Sequence, residues 1–217
     1  MKLPIFSKKT TDLEASVNRL VKIIDQLREN VTGEDYKIWK NIPLAREMRD
    51  ILRGIPPVKG EFIDATGIVV CCDSIFQEHL LDQRDCPRLC LDFLTIRKAA
   101  AAARTPEDEK YQPGCFLDPQ EVEAIQKNLE SYIDPSISME AWVKATGAHL
   151  KFDPVERSER WEEIIYEVEK ECDRQLKGEA RGMGFCFAYW SVKKAVLAKY
   201  GIDWHSPSSM NPRVMFD

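Results

Sequence analysis

The cysteines are the residues of this chain that come nearest, in type and spacing, to the ligands of a metal site. Cys71, Cys72, Cys86 and Cys90 fall with His79 inside one predicted helical hairpin, and Cys86 and Cys90 share a face at a spacing of four residues. Soft ligands at such a spacing can hold zinc or an iron–sulfur cluster. The chain contains no Cys-x-x-Cys pair, however, and free cysteine is among the residue types most often buried. We therefore predict core thiols and no cofactor, with a metal site on Cys86, Cys90 and His79 as the weaker alternative.

The thiol of Cys186 is the best single candidate for catalysis. It lies near the start of a predicted helix, where a thiolate is stabilised. Its neighbours Phe185 and Phe187 indicate a packed thiol instead. The three histidines form neither a His-Glu-x-x-His nor a Glu-x-x-His motif. A Cys–His couple stays open, because such partners need not be close in sequence, but we predict no catalytic residue.

An aromatic segment over residues 182–190 offers a different kind of site. Four aromatic side chains within six residues occupy nearly every direction around a helix, and two glycines precede them. One interpretation is a ligand or partner pocket, whose candidate residues are Phe185, Phe187, Tyr189, Trp190 and Trp204. The other interpretation, which we prefer, is a core helix covered by Trp204 and Phe216.

The N-terminal region carries a heptad seam, a row of apolar residues at alternating spacings of four and three. Its members are Leu13, Val17, Leu20, Ile24, Leu27 and Val31. Such a face must pack against another helix. The flanking positions supply no opposite charges for a parallel dimer, while Val21 and Ile23 widen the apolar stripe. We predict that most of Val17, Leu20, Ile24 and Leu27 pack against this chain's own helices, with a homo-oligomer interaction seam along Leu13–Leu27 as the alternative.

These residues must be positioned by helices. Apolar periodicity, helix-start residues and helix-ending glycines predict an all-α, irregular multi-helix bundle of about seven to nine helices with an ordered, non-helical C-terminal tail. Residues 66–72 are rich in β-branched side chains and allow either a strand or a helix, of which we prefer the helix. The chain is predicted to form a single helical domain over 1–217. An N-terminal sub-unit over 10–54, joined by a loop over 55–65, is a candidate subdivision.

Local signals set the predicted helix boundaries. We expect the first helix to begin at Thr11. The next helical region should divide at Pro43 into two helices, and a further helix should cover residues 66–83. Three Asp-Pro pairs at 118, 134 and 153 predict further starts, and Gly147 and Gly201 predict stops. The acidic side of the helix around residues 162–171 is expected to face water.

Composition limits the classes of partner. The chain has 217 residues, 44% of them hydrophobic and 31% charged, with a net charge of −5. A globular fold is therefore expected, and nucleic acid is not an expected partner because its phosphates need a basic face. No apolar run is long enough for a membrane span. The seven cysteines, with no export signal at the N-terminus, predict free thiols and a cytoplasmic location.

Together these features favour a non-catalytic cytoplasmic protein-interaction protein, such as an adaptor, an inhibitor or a component of a larger assembly. The seam and the apolar tail support this hypothesis. The alternative is a helical enzyme or small-ligand-binding protein with a pocket against the aromatic segment 182–190.

Overall fold

The fold is all-α, as predicted. A computed structural model of the chain describes residues 6–32, 36–55, 65–104 and 116–216. Within these ranges there are nine helices and no strand. Residues 66–72 lie in a helix. None of the helices in the described part combines the length and apolar character needed to cross a bilayer.

The chain divides into two compact units. The first comprises Met1–Asp82 with Arg88–Gln126, and the second comprises Gln83–Pro87 with Lys127–Asp217. The predicted N-terminal sub-unit falls within the first unit, and nearly all of its predicted joining loop, 56–64 of 55–65, lies outside the described residues.

The first unit contains α1 (Phe6–Glu29), α2 (Asn41–Gly54), α3 (Ala65–Gln77), α4 (Pro87–Ala102) from Arg88 onward, and α5 (Pro119–Ile133) up to Gln126. A 3₁₀ turn over Ile38–Lys40 precedes α2. Helix α1 begins five residues before the predicted Thr11, because the intervening residues contain neither glycine nor proline to end it. Helix α5 begins as predicted, with a carboxylate oxygen of Asp118 accepting a hydrogen bond from the Gln120 N–H.

Helix α1 packs its apolar face within the first unit. Leu20, Ile23 and Leu27 are fully buried, whereas Leu13, Val17 and Ile24 are half-buried. The expectation that Val21 widens the buried stripe is wrong, because its side chain is 55% exposed. The buried face is centred on Ile23, so its neighbour two positions away points elsewhere on the helix.

Two buried polar groups cross-link the first unit. The Asn41 amide donates hydrogen bonds to the carbonyl oxygens of Leu27 and Leu80, at 2.9 and 2.8 Å. The Arg97 guanidinium contacts the carboxylate of Asp73 at 2.9 Å and donates to the Leu117 carbonyl at 2.7 Å. Both partners of the Arg97–Asp73 ion pair are buried, so each charged group has lost the water that would solvate it. Each therefore depends on the other for a compensating interaction.

Helix α3 ends six residues before its predicted end at Gln83. The Leu80 N–H donates to the Ile75 carbonyl at 3.0 Å, and the His79 N–H donates to the Phe76 carbonyl at 3.3 Å. This is a Schellman motif, whose left-handed position usually holds glycine. Here His79 occupies it, with a φ of 51°. Leu80 therefore reaches the core through the motif and not through a further helical turn.

The second unit contains the rest of α5, then α6 (Met139–Thr146), α7 (Glu159–Gln175), α8 (Phe185–Lys199) and the short α9 (Pro207–Met210). Helix α6 begins at a Ser138 cap and ends at Gly147, as predicted. The prediction of a helix start at Asp134-Pro135 is wrong. The Asp134 carboxylate instead accepts from the Ser136 N–H and closes a turn.

The expectation of an entirely non-helical tail is also wrong. Ser206 accepts a hydrogen bond from the Ser209 N–H and Pro207 follows it, which caps the single helical turn α9. The Asn211 side chain then exchanges hydrogen bonds with the backbone of Lys151, at 2.9 Å each. The tail is thereby held against its own unit.

Candidate functional site

A buried ion pair joins α7 to α8 in the second unit. The ammonium nitrogen of Lys193 lies 2.7 Å from a carboxylate oxygen of Glu169, and each residue is only 8% exposed. The Tyr189 hydroxyl donates to the same carboxylate, at 2.6 and 2.7 Å from its two oxygens. Glu169 was expected to face water with its acidic neighbours. That expectation is wrong, because Glu169 follows Ile165 by four residues and so shares its buried face.

Three aromatic rings surround the Lys193 ammonium. The nitrogen lies 4.9 Å from the ring centroid of Trp161, 5.6 Å from that of Tyr189 and 5.7 Å from that of Trp204. A cation at this distance is attracted to the electron-rich ring faces. We call these residues, together with Glu169, the Lys193 cluster.

The pKa shift of Lys193 opposes a role for its side chain as a base or a nucleophile. Burial alone would lower the pKa of Lys193, but the Tyr189 oxygen and the Glu169 carboxylate outweigh it, and the pKa is raised well above its ordinary value. Burial raises the pKa of Tyr189 as well. A catalytic lysine needs a lowered pKa, so that the neutral amine is available. The lysine here stays protonated, and the cluster fastens α7, α8 and the tail together.

Hydrogen bonds around the cluster fix the tryptophan rings. The Trp204 indole N–H donates to Glu156 at 2.8 Å, and the Trp161 indole N–H donates to Asp85 at 2.9 Å. Burial raises the pKa of Glu156, although the Trp204 hydrogen bond opposes the shift. The next residue of the tail, His205, donates its backbone N–H to Asp153 at 2.7 Å.

Another side of α8 carries an apolar surface that is partly exposed. Its centre is a row of three rings: Phe187 meets Trp190 edge-on at 5.4 Å, and Trp190 meets Phe216 edge-on at 5.1 Å. Met183, four residues before Phe187, and Met215, one residue before Phe216, are 94% and 95% exposed. Phe187 and Val214 are also exposed, at 49% and 44%. We call the set Met183, Phe187, Trp190, Val214, Met215 and Phe216 the α8–tail surface.

The five aromatic residues proposed as one pocket thus lie in different surroundings. Tyr189 and Trp204 belong to the Lys193 cluster, whereas Phe187 and Trp190 belong to the α8–tail surface. Phe185 is half-buried at the start of α8, with the Arg181 guanidinium 5.6 Å from its ring. Helix α8 separates the two groups because it carries aromatic residues on both sides.

The cysteines of the described residues are free thiols. Burial raises the pKa of Cys71 to about 11 and that of Cys172 to about 12, which leaves them protonated and poorly reactive at neutral pH. Cys186 is half-buried in the first turn of α8. No group of three or more potential metal ligands occurs in the part of the chain that the structure describes.

The first unit contains an apolar groove of about 270 Å³ between α2, α3 and α4. Its lining is mostly aliphatic, from Leu52, Ile55, Ile68, Ile96, Ala99 and Ala100, with Arg53 and Thr95 at its edge. Arg53 contacts Asp92 at 2.6 Å, and the Thr95 hydroxyl donates to the Leu91 carbonyl at 2.9 Å. The polar groups that line the groove are therefore already engaged.

Sequence reasoning missed the two charged residues of the Lys193 cluster. A signal for Glu169 was available, since it follows Trp161 by eight residues and Ile165 by four, both on the apolar face of α7. Lys193 follows Tyr189 by four residues and so lies on the same side of α8. A carboxylate and an ammonium on the buried faces of consecutive helices indicate an ion pair between those helices.

Comparison of the chain with protein-family models, curated proteins and solved structures found no match.

Proposed function

We propose that this chain is a non-catalytic protein-interaction protein of the cytoplasm, an adaptor, an inhibitor or a component of a larger assembly. The observation that carries the proposal is the α8–tail surface. Two methionines almost completely open to solvent lie close in sequence to a row of three aromatic rings, Met183 four residues before Phe187 and Met215 one residue before Phe216. Exposed apolar side chains that gather into a patch are a common mark of a protein-binding surface.

The composition of the α8–tail surface suits protein recognition. Aromatic residues and methionine are enriched at protein interfaces, and the flexible methionine side chain adapts to partners of different shape. The edge-to-face contacts hold the three rings in place, so little conformational freedom is lost on binding. Free thiols in the described residues support the cytoplasm as the location.

A pull-down from the native host with quantitative mass spectrometry tests this function. The variant is the double substitution Met183→Ser and Met215→Ser, because side chains this exposed contribute little to folding. The matched control is Val21→Ser, which removes an exposed apolar side chain from the first unit. We expect a partner that wild type and control recover and that the double variant loses at least about tenfold, which corresponds to about 1.4 kcal/mol of binding free energy. Recovery of no specific partner, or of the same partners by all three proteins, would contradict the proposal.

The alternative of a helical enzyme or small-ligand-binding protein has one supporting observation, the groove of the first unit. Its volume of about 270 Å³ lies just below the range usual for ligand pockets. It also lies away from the aromatic segment 182–190 in sequence, where the alternative placed its pocket. We therefore prefer the interaction function.

A further inference from the structure

We infer that the second unit contains a preformed binding site for a primary ammonium ion, which the side chain of Lys193 occupies as a tethered ligand. The walls of the site are three aromatic rings and three carboxylates, from Trp161, Tyr189, Trp204, Asp85, Glu156 and Glu169. We call these six residues the ammonium site. All of them belong to the second unit, and the assignment is independent of the proposed function. It predicts that a free alkylammonium ion replaces the lysine side chain when that side chain is shortened.

Each ring of the ammonium site is held in place by one of its carboxylates. The three donor–acceptor pairs are the Trp161 indole N–H with Asp85 at 2.9 Å, the Trp204 indole N–H with Glu156 at 2.8 Å, and the Tyr189 hydroxyl with Glu169 at 2.6 Å. None of these three hydrogen bonds involves Lys193, so all of them remain when its side chain is shortened. The walls are therefore arranged for a cation in advance, which reduces the conformational cost of binding one.

One ammonium group interacts with all three carboxylates of the ammonium site. The Lys193 nitrogen lies 2.7 Å from a Glu169 oxygen. Burial alone would lower the pKa of Lys193, but Glu169 and Asp85 are among the groups that raise it well above its ordinary value. Burial raises the pKa of Glu156, and the charge of Lys193 is among the effects that oppose that shift. Removal of the lysine ammonium thus leaves a negative potential that attracts a replacement cation.

The geometry favours a primary ammonium ion over other cations. A separation of 2.7 Å between nitrogen and the Glu169 oxygen is a charge-assisted hydrogen bond, which needs an N–H group. A quaternary ammonium ion has no N–H, and its methyl groups keep the nitrogen farther from an oxygen. Calcium and magnesium bind through six or more oxygen ligands, whereas three ring faces lie within 4.9–5.7 Å of the nitrogen here. Ring faces attract organic ammonium ions.

The substitution Lys193→Ala defines the free ligand that tests the inference. Alanine keeps the β-carbon, so the lost atoms are three carbons and the ammonium nitrogen, which together make up n-propylammonium. An ion that binds the folded protein and not the unfolded chain raises the thermal midpoint. The matched control is Lys194→Ala, which removes the same atoms from the neighbouring, exposed lysine.

Thermal unfolding of the full chain in different salts measures the binding. In about 50 mM n-propylammonium chloride near neutral pH, the midpoint of Lys193→Ala should lie at least about 3 °C above its value in sodium chloride of the same concentration. Wild type, whose own lysine occupies the site, and Lys194→Ala should show no such difference. Methylammonium should give a smaller rise because it leaves part of the cavity unfilled, and hexylammonium because it is too long.

Two further ligands and one further variant separate charge from volume. 1-Propanol has a similar size but no charge, and tetramethylammonium has the charge but no N–H group, so neither should raise the midpoint of Lys193→Ala as n-propylammonium does. The double variant Glu169→Gln with Lys193→Ala keeps the cavity but removes the carboxylate that contacts the ammonium nitrogen. Its midpoint should respond less to n-propylammonium than that of Lys193→Ala does.

Equal midpoints of Lys193→Ala in n-propylammonium chloride and sodium chloride would overturn the inference. An equal rise in wild type or Lys194→Ala would also overturn it, because the ion would then act on the fold in general. An equal rise with 1-propanol would show that only apolar volume is filled. If Lys193→Ala is unfolded in sodium chloride, the comparison is repeated in about 1 M sucrose, which favours the folded state. A variant that stays unfolded in every solution would contradict the inference, because the walls would then depend on Lys193.

Discussion

Removing either charge of the Glu169–Lys193 pair is expected to destabilise the second unit strongly. Glu169→Leu leaves a buried ammonium without the carboxylate it contacts, with Asp85 and Glu156 as the remaining negative groups that act on it. Lys193→Met leaves a buried carboxylate with the Tyr189 hydroxyl as its hydrogen-bond donor. Breaking one side of a buried ion pair costs about 3–5 kcal/mol, because the remaining charge keeps its desolvation penalty. Each single variant should lose free energy of unfolding in that range.

The double variant separates this explanation from simple packing loss. With both charges replaced by apolar side chains of similar size, only the Tyr189 hydroxyl is left without its acceptor, at a cost of about 1–3 kcal/mol. The double variant should therefore be more stable than either single variant. The coupling energy of the pair should then reach at least about 3 kcal/mol, well above that of independent sites.

Urea unfolding followed by tryptophan fluorescence measures these energies. Four of the five tryptophans belong to the second unit, so the signal reports mainly on its unfolding. The m-value should stay constant across the series, because the surface exposed on unfolding is unchanged. The matched control is the exposed pair Glu167–Lys170 on α7, 3.4 Å apart, whose coupling should stay below about 1 kcal/mol.

The pH dependence provides a further check. The folded-state pKa of Lys193 is raised above its ordinary value of 10.5. The contribution of the Glu169–Lys193 pair to the free energy of unfolding is therefore fully present below pH 10.5. It is lost only as pH rises through the folded-state pKa of Lys193. The coupling should be constant between about pH 6 and pH 9. A cost below about 1 kcal/mol for Glu169→Leu, or additive costs in the double variant, would refute the reasoning.

Three other substitutions test local features of the fold. His79→Gly should stabilise the protein by about 0.5–1 kcal/mol in urea unfolding, because glycine adopts the left-handed conformation without steric cost, whereas His79→Ala should bring no gain. Asp73→Ala should destabilise the first unit by about 3–5 kcal/mol, measured by far-UV circular dichroism in urea, since Arg97 loses its buried partner; a cost below about 1 kcal/mol would be inconsistent with that burial. Glu156→Gln keeps an acceptor for the Trp204 indole but removes a buried charge. Because the folded-state pKa of Glu156 is raised, wild type loses stability as pH rises through that pKa, so the variant should have a higher thermal midpoint at pH 7 and no advantage at pH 4. An equal difference at both pH values would contradict this pKa direction.

Local signals predicted much of the helical framework. Ser138 and Gly147 bound α6 as expected, and Asp118 caps α5. The apolar face of α7 was also correct, since Trp161, Ile165, Val168 and Cys172 are all buried. These features depend on hydrogen bonds within a few residues and on helical periodicity, both of which the sequence displays directly.

The ends of elements were less predictable where tertiary contacts competed with local preference. Leu80 and Leu81 continue an apolar helical pattern past Gln77, yet the chain turns at His79 in a left-handed conformation. A histidine does not indicate a helix end in the sequence, because this left-handed position usually holds glycine. Gly201, by contrast, indicated the Schellman motif that ends α8. Burial of Leu80 and its carbonyl bond to Asn41 support the turn.

The candidate site shows the same division between local and tertiary information. The sequence by itself determined that residues 185–199 are helical and that aromatic residues occupy nearly every side of the first turns, because composition and periodicity are properties of one segment. Only the tertiary structure decided which side faces Glu169 and becomes the Lys193 cluster, and which side stays open as the α8–tail surface. The physical reason is that burial and ion pairing depend on a second helix and on the tail, whose positions no local pattern encodes.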